Sequence, residues 1–320
     1  MTRHIRNTVI LAKVETTAGT DAVPTGSADA VQVSNVSITP LEASNVNRDL
    51  VRGYLGGSEQ LVSTAAIKAS MTVELAGAAS AGTAPQWGDL LLGCAMAEAV
   101  LSAPARVEYT PITDAMQSLT EYYYDSGVLH KLLYAMGNAK ISAKIGDRPT
   151  IALDFTAIDG GISAATNATP TLTAWKTPVT MTRANVVDVT LGCTYSAGAI
   201  SGGTVYPSTG IEIDLGNTVN HVPLLSSERV DISQREVTGN VQFDLTAAQE
   251  VTFMATVKAN TTQSLALTIG TATGNKIIIF CPAVQLIKPT KQDLNGNRLI
   301  GYELRMVPST GNDEIRIVSV

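Results

Sequence analysis

Ser118-Leu119-Thr120-Glu121-Tyr122-Tyr123-Tyr124-Asp125-Ser126-Gly127 is a run of strand-forming residues that ends in a turn, and Lys131-Leu132-Leu133-Tyr134 follows it toward Ala139-Lys140-Ile141. The same sentence returns in shorter form near the C-terminus. There Ser264-Leu265-Ala266-Leu267-Thr268-Ile269 passes through Thr273-Gly274-Asn275 into Lys276-Ile277-Ile278-Ile279 and then Val284-Gln285-Leu286. Each copy makes a polar turn, Gly146-Asp147-Arg148-Pro149 in one and Asn295-Gly296-Asn297 in the other, and closes on an alternating run. Ile151, Leu153, Phe155 and Ala157 alternate with Ala152, Asp154 and Thr156; Ile300, Tyr302, Leu304 and Met306 alternate with Gly301, Glu303 and Arg305. Apolar residues at period two put one face of a strand on a core and the other in water. The spacing predicts one β-rich unit used twice.

The repeat extends upstream. Ser70-Met71-Thr72-Val73-Glu74-Leu75 answers to Asn240-Val241-Gln242-Phe243-Asp244-Leu245, with an acidic residue at the same place in each. A helix is predicted after each strand. In the first unit Pro85 suits a first helical turn, and Trp87, Leu90, Leu91, Cys94 and Ala97 share a face. In the second, Thr246 and Gln249 have capping-box spacing ahead of Val251, Met254, Ala255 and Lys258. Each unit thus reads strand, long loop, strand, helix, hairpin, strand.

Taken in order, residues 1–35 form an N-terminal arm with a short strand at Val9-Ile10-Leu11 and a Gly, Thr and Pro-rich loop, able to pack on its own unit or reach a neighbour. The first unit spans 36–160. Residues 42–63 are polar and too long for a hairpin turn, and carry Arg48, Asp49, Arg52, Tyr54 and Glu59 among three glycines. Residues 216–239 repeat that feature with Glu228, Arg229, Asp231, Arg235 and Glu236. Mixed charge alone fits either a solvated loop or a contact surface; its recurrence favours contact. Residues 161–178 are rich in Gly, Ala, Thr and Asn and read as a linker, with Trp175 as an anchor on the adjoining sheet. The second unit spans 179–320 and opens with short strands at 186–191 and 199–206.

A chain of 320 residues can hold two such units. A formal charge of -6 and the absence of a basic run argue against general nucleic-acid binding, which depends on Lys and Arg neutralising phosphates. Cys94, Cys193 and Cys281 are too few and too scattered for a disulfide framework or a zinc site, and are expected as reduced core thiols in a protein made in the cytoplasm. The run behind Arg3 and Arg6 is too short for a signal peptide, and the apolar stretch from Leu90 to Ala97 is stopped by Glu98 before it reaches a membrane span. No catalytic set is expected. His4, His130 and His221 show no metal-ligand spacing, no serine lies in a nucleophile elbow, and Gly270 with Gly274-Asn275-Lys276 is one residue short of a phosphate loop and fits a hairpin turn. Tyr122, Tyr123 and Tyr124 alternate sides of a strand and have no basic flanks, so a base-stacking platform is the weaker reading. No cofactor is implied.

Several segments in order carry a family resemblance. They are Glu15-Thr16-Thr17-Ala18-Gly19-Thr20-Asp21-Ala22-Val23-Pro24, Ile38-Thr39-Pro40-Leu41-Glu42, Arg48 through Tyr54-Leu55-Gly56, Val73-Glu74-Leu75-Ala76-Gly77, Gly82-Thr83-Ala84-Pro85, Tyr109-Thr110-Pro111, and Tyr123-Tyr124-Asp125 with His130-Lys131. Across roughly residues 8 to 160 the chain resembles the tail tube proteins of long-tailed bacteriophages. The resemblance implies a mainly β fold built from an antiparallel sandwich or barrel unit flanked by a helix, of which the internal repeat gives this chain two in tandem, closing into a ring with a continuous inner β-barrel. Rings would stack into a hollow conduit for DNA ejection. Since the family builds rings from six units, a chain with two implies three chains per ring.

The resemblance also implies partners: further copies of the chain, a tape-measure protein, a tail terminator, tail tip proteins, and double-stranded DNA in transit without specific binding or any membrane. The two charged stretches become candidates for contacts between rings. Glu74, Asp244, Asp154 and Glu303 become candidates for a lumen that repels phosphate. A tail terminator or a capsid decoration protein remains the alternative, and a carbohydrate-binding or hydrolytic sandwich is the weakest reading. The resemblance places the product in the virion tail, made and assembled in the host bacterial cytoplasm.

Overall fold

A computed structural model describes residues 3–320. The first half holds β1 (Thr8–Val14), β2 (Ala30–Val31), β3 (Ser34–Asn47), β4 (Gln60–Glu74), α1 (Gly88–Leu92), β5 (Met96–Ser102), β6 (Ala105–Pro111), β7 (Leu119–Asp125), β8 (Val128–Lys144) and β9 (Thr150–Ala164). The second holds β10 (Val186–Ser196), β11 (Ala199–Val205), β12 (Ser208–Asp214), β13 (Asn217–Pro223), β14 (Glu228–Arg235), β15 (Thr238–Phe243), α2 (Ala247–Lys258), β16 (Thr262–Ile269), β17 (Ile277–Leu294), β18 (Asn297–Met306) and β19 (Arg316–Ser319).

One order of strand pairing occurs twice. In the first half hydrogen-bonded neighbours run β1, β7, β8, β9, β4, β3. In the second they run β10, β16, β17, β18, β15, β12. Every pair is antiparallel, and along the β4–β9 and β15–β18 pairs the registers agree residue by residue. Val73 faces Ile151 and Met71 faces Leu153; Phe243 faces Ile300 and Val241 faces Tyr302. The alternation that makes these residues legible as strands also sends all eight into the core. Buried side chains of the two halves form one continuous cluster, from Ile67 and Phe155 to Phe243 and Leu304. β9 corresponds to β18 and β19 together, whose two parts are separated by residues 307–315.

The two helices differ from expectation in different ways. α2 has the predicted capping box, with Thr246 accepting from the Gln249 N–H and the Gln249 side chain accepting from the Thr246 N–H. Its core contact is Phe253, whose ring stands 5.0 Å from Tyr206 and 5.7 Å from Phe243, while Val251 faces water. Thr246→Ala is expected to destabilise the chain by about 1 kcal/mol in urea unfolding; an unchanged midpoint would mean the cap contributes nothing.

The first helix is shorter than predicted. α1 ends at Leu92, and Cys94 and Ala97 lie beyond it. Gly93 follows, Ala95 takes a left-handed φ of 58°, and β5 starts at Met96. Burial of Trp87, Leu90, Leu91 and Cys94 comes from packing under the sheet, so a shared apolar face did not require a long helix.

Both stretches read as long loops are strand hairpins. β3 continues to Asn47 and β4 begins at Gln60, leaving residues 48–59 as the tip of an arm. β13 and β14 form a two-stranded sheet within residues 217–235. The first showed no period-two apolar spacing, because its arm has solvent around Leu41, Val46, Leu61 and Val62; in the second the alternation is limited to Val230 and Ile232. β9 runs through Ala164, so the first residues of the predicted linker are strand. The N-terminal arm packs on its own unit, with β1 between β2 and β7. Trp175 anchors the linker by donating Nε1–H to the Ala30 carbonyl at 2.9 Å.

Candidate functional site

The two halves are joined edge to edge. Residues 140–144 of β8 run antiparallel to residues 210–214 of β12, with Ser142 opposite Glu212 and Ile141 opposite Ile213. The approach is close enough that a Cβ on Gly210, whose φ is 101°, would sit 2.0 Å from the Ala143 carbonyl oxygen. Strands β3, β4, β9, β8, β12, β15, β18 and β17 therefore make one antiparallel run, four from each half. Its inner face is the core. Its outer face is mostly polar, with Ser70, Thr72, Asp154, Thr156, Lys140, Ser142, Glu212, Asp214, Asn240, Glu303 and Arg305 at the alternate positions beside Ala152 and Ile287.

Charge on this face is matched. Lys144 lies 2.7 Å from Glu212 and Lys140 3.4 Å from Asp214, both pairs spanning the joint. Arg148 meets Glu74 at 3.2 Å, Lys288 meets Glu303 at 2.7 Å, Arg305 meets Glu236 at 2.9 Å and Lys68 meets Glu42 at 2.6 Å. Exposed pairs of this kind contribute little to stability. Their consequence is electrostatic: each cation named here already has a carboxylate, and none is offered singly to a passing anion.

Three of the four predicted lumen residues, Glu74, Asp154 and Glu303, lie on this one polar face. Asp244 is exposed just past the end of β15. The residues expected to contact other rings lie on the two hairpins. Arg48 and Arg52 both pair with Glu59 at the first tip, and Asp49 and Tyr54 are exposed beside them. Glu228, Arg229 and Asp231 are exposed on β14, with Glu228 Oε1 2.6 Å from His221 Nε2. Arg235 turns inward, where it donates to the Ile112 carbonyl at 2.8 Å and pairs with Glu314 at 3.2 Å. Both tips carry bare apolar groups: Val51 and Leu55 on one, Leu224 and Leu225 on the other.

The β13–β14 hairpin lies over the first half. Val230 and Ile232 pack with Ala95 and Met136, flanked by Tyr134 and Ile158. Asn217 donates to the carbonyls of Cys94 at 2.8 Å and Gly137 at 3.1 Å. A second tie is Glu108 on β6, which accepts from Arg106 at 2.6 Å, Tyr195 at 2.5 Å and Arg316 at 3.0 Å. Burial pushes its carboxyl up, but the Tyr195 hydroxyl and the two guanidinium groups outweigh that and hold it below its ordinary value.

Lys140, Lys144, Glu212 and Asp214 were not picked out from sequence, although Lys140-Ile141-Ser142-Ala143-Lys144 and Glu212-Ile213-Asp214 carry the same polar alternation as the strands that were. Tyr122 to Tyr124 alternate as expected, Tyr123 in the main core and its neighbours in a smaller cluster on the other side of β7. All three thiols are buried, and desolvation raises the pKa of each. Among the described residues no group of His, Cys, Asp and Glu is placed to hold a metal ion, and no helix is long and apolar enough to cross a membrane.

No curated protein sequence matches the chain. The family model for phage tail tube proteins matches residues 5–317, which takes in both hairpins, the joint and the whole polar run. With its mainly antiparallel β architecture, this chain belongs to the phage tail tube protein family and is a structural component of the phage tail that works by assembling with other tail components.

Proposed function

We propose that the chain is a duplicated tube unit, that three copies close into a ring of six units, and that rings stack into a tube through which DNA leaves the particle. The observation that supports this most is the eight-strand run. It contributes four strands from each half in matching order and ends on β3 and β17, whose outer edges at residues 35–39 and 290–294 have no strand partner among the described residues. Unpaired edges of that length invite another chain, and closing the sheet removes them.

The polar face lines the lumen in this reading. Glu74, Glu303, Glu212 and Asp214 hold Arg148, Lys288, Lys144 and Lys140, while Asp154 and Asp244 add negative charge, so DNA phosphates find none of these cations free. Neutralising these carboxylates as Gln or Asn is expected to slow DNA release from assembled particles, more strongly as ionic strength falls. Release kinetics equal to those of the parent at low salt would sink the charge-matching idea.

The hairpin tips are the contacts between rings. Val51 and Leu55 with Arg48, Asp49, Arg52, Tyr54 and Glu59 form one surface; Leu224 and Leu225 with Glu228, Arg229 and Asp231 form the other, while Arg235 and Glu236 are engaged by Glu314 and Arg305 and take no part. Tape-measure, terminator and tip proteins meet the tube at its bore and ends. The role is structural and requires no catalysis, and assembly takes place in the host cytoplasm.

Negative-stain electron microscopy of the purified protein at rising concentration, with mass photometry, tests the reading. Hollow tubes of regular axial repeat and a three-chain ring mass are the expected result. A single closed ring that never stacks would overturn it in favour of a terminator or decoration protein.

A further inference from the structure

The joint between β8 and β12 is a template for a contact the single chain cannot make. In the repeated strand order β3 corresponds to β12 and β17 to β8, and the paired registers fix which residues correspond. Ser37 faces Ser70 as Glu212 faces Asn240, and Ser70 faces Asp154 as Asn240 faces Glu303, so Ser37 stands where Glu212 does. Thr150 faces Ser142, and its counterpart Leu299 faces Gln292, so Gln292 stands where Ser142 does. Ser142 and Glu212 are partners across the joint.

We infer that β3 of one chain pairs antiparallel with β17 of a second copy in the register Ser37 opposite Gln292, with Thr39 opposite Thr290 and Ile38 opposite Lys291. This names the surface on which the proposed ring closes and so rests on that reading. Several features fit it. Eight strands is an even number, so in an all-antiparallel run the next β3 arrives antiparallel to β17. Ile38 is half-buried and Lys291 exposed in the single chain, whereas the matching Ile213 and Ile141 are buried at the internal joint.

The hairpins carry the correspondence further. β13–β14 covers Met136 and Ile158, and the places of those residues in the second half are taken by Gln285 and Val307, both half-buried and covered by no hairpin among the described residues. The β3–β4 arm, with Val46, Leu61 and Val62 bare, is the equivalent cover and would lie there on the second copy. The two joints differ in charge: Lys140–Asp214 and Lys144–Glu212 ion pairs bridge the internal one, whereas Thr39, Thr290, Ser37 and Gln292 at the other are uncharged, and Lys291, paired with Glu250, stands where Ile141 does.

Paired cysteines test the register. The native thiols are buried, so a Ser37→Cys, Gln292→Cys chain presents the new pair alone on its surface. Antiparallel neighbours have the Cα spacing a disulfide needs. Mild oxidation of assembled protein is expected to give a ladder of covalent multimers on non-reducing gels, with neither single variant doing so. The offset pair Ser37→Cys, Leu294→Cys should yield at least about tenfold less, since a two-residue displacement along a strand exceeds disulfide reach. Thr39→Cys, Thr290→Cys is the second in-register pair should the first disturb folding.

Tubes or rings that form normally but cross-link at the offset pair, or at none, would overturn the register and leave the tube reading standing. Parent protein that stays single at all concentrations, with no intermolecular disulfide in any variant, would overturn both. In-register cross-links in small oligomers without tubes would support the joint and count against stacking alone.

Discussion

Glu121→Gln is expected to flatten a pH dependence of stability that the parent chain shows between about pH 4.5 and pH 8. The Glu121 side chain is 1% exposed on β7, and its Oε1 has no hydrogen-bond partner among the described residues. Desolvation pushes its carboxyl from an ordinary 4.5 up to about 8. Since the folded pKa lies above the unfolded one, folding takes up a proton throughout that window. Stability is therefore complete below about 4.5, declines as pH rises, and levels off above about 8. At 1.36 kcal/mol per pH unit the loss amounts to about 5 kcal/mol. The amide carries no charge at any of these values, so the variant should be the more stable protein at pH 9. Urea midpoints across the range decide it; parent and variant curves that stay parallel would show Glu121 to be solvated or paired.

Glu15→Ala should act in the opposite sense, costing about 4 kcal/mol at neutral pH, because it strands four donors around one buried carboxylate. Glu15 Oε2 accepts from the Gly19 N–H and the Ser118 hydroxyl, each at 2.6 Å, and Oε1 from the Thr120 hydroxyl and the Tyr134 N–H, each at 2.9 Å. Ser118 and Thr120 are themselves buried. The cluster sits where β8 changes register against both neighbours, and Tyr134 there has a φ of 53°. Glu15 thus holds a bulge as well as a loop. Glu15→Gln should recover only part of the loss, since its Nε2 group brings further donors to a site that already has donors. Wild-type unfolding of the alanine variant would mean water replaces the carboxylate without cost.

Where one strand face is apolar the sequence is readable. Ile151, Leu153, Phe155 and Ala157 are buried alternately along β9, and Ile300, Tyr302, Leu304 and Met306 along β18, as their spacing predicts. Thr246 and Gln249 cap α2 because a capping box depends only on neighbours in the chain. Legibility fails where the second partner is distant. The arm built from β3 and β4 is strand because its backbone groups pair with each other, and its side chains, wet on both sides, carry no period. Lys144 and Glu212 become meaningful as a pair only when β12 is laid beside β8, which no local pattern announces. The inward turn of Arg235 depends likewise on Glu314 and on the Ile112 carbonyl, far along the chain.

Because β8 and β12 belong to one polypeptide, the contact between them forms at an effective concentration set by the tether between β9 and β10, whatever the amount of protein in solution. A contact between β17 and a second copy's β3 has no such tether and follows mass action. Dilution or mild denaturant would therefore part an assembly at alternate seams, releasing whole chains and never half of one.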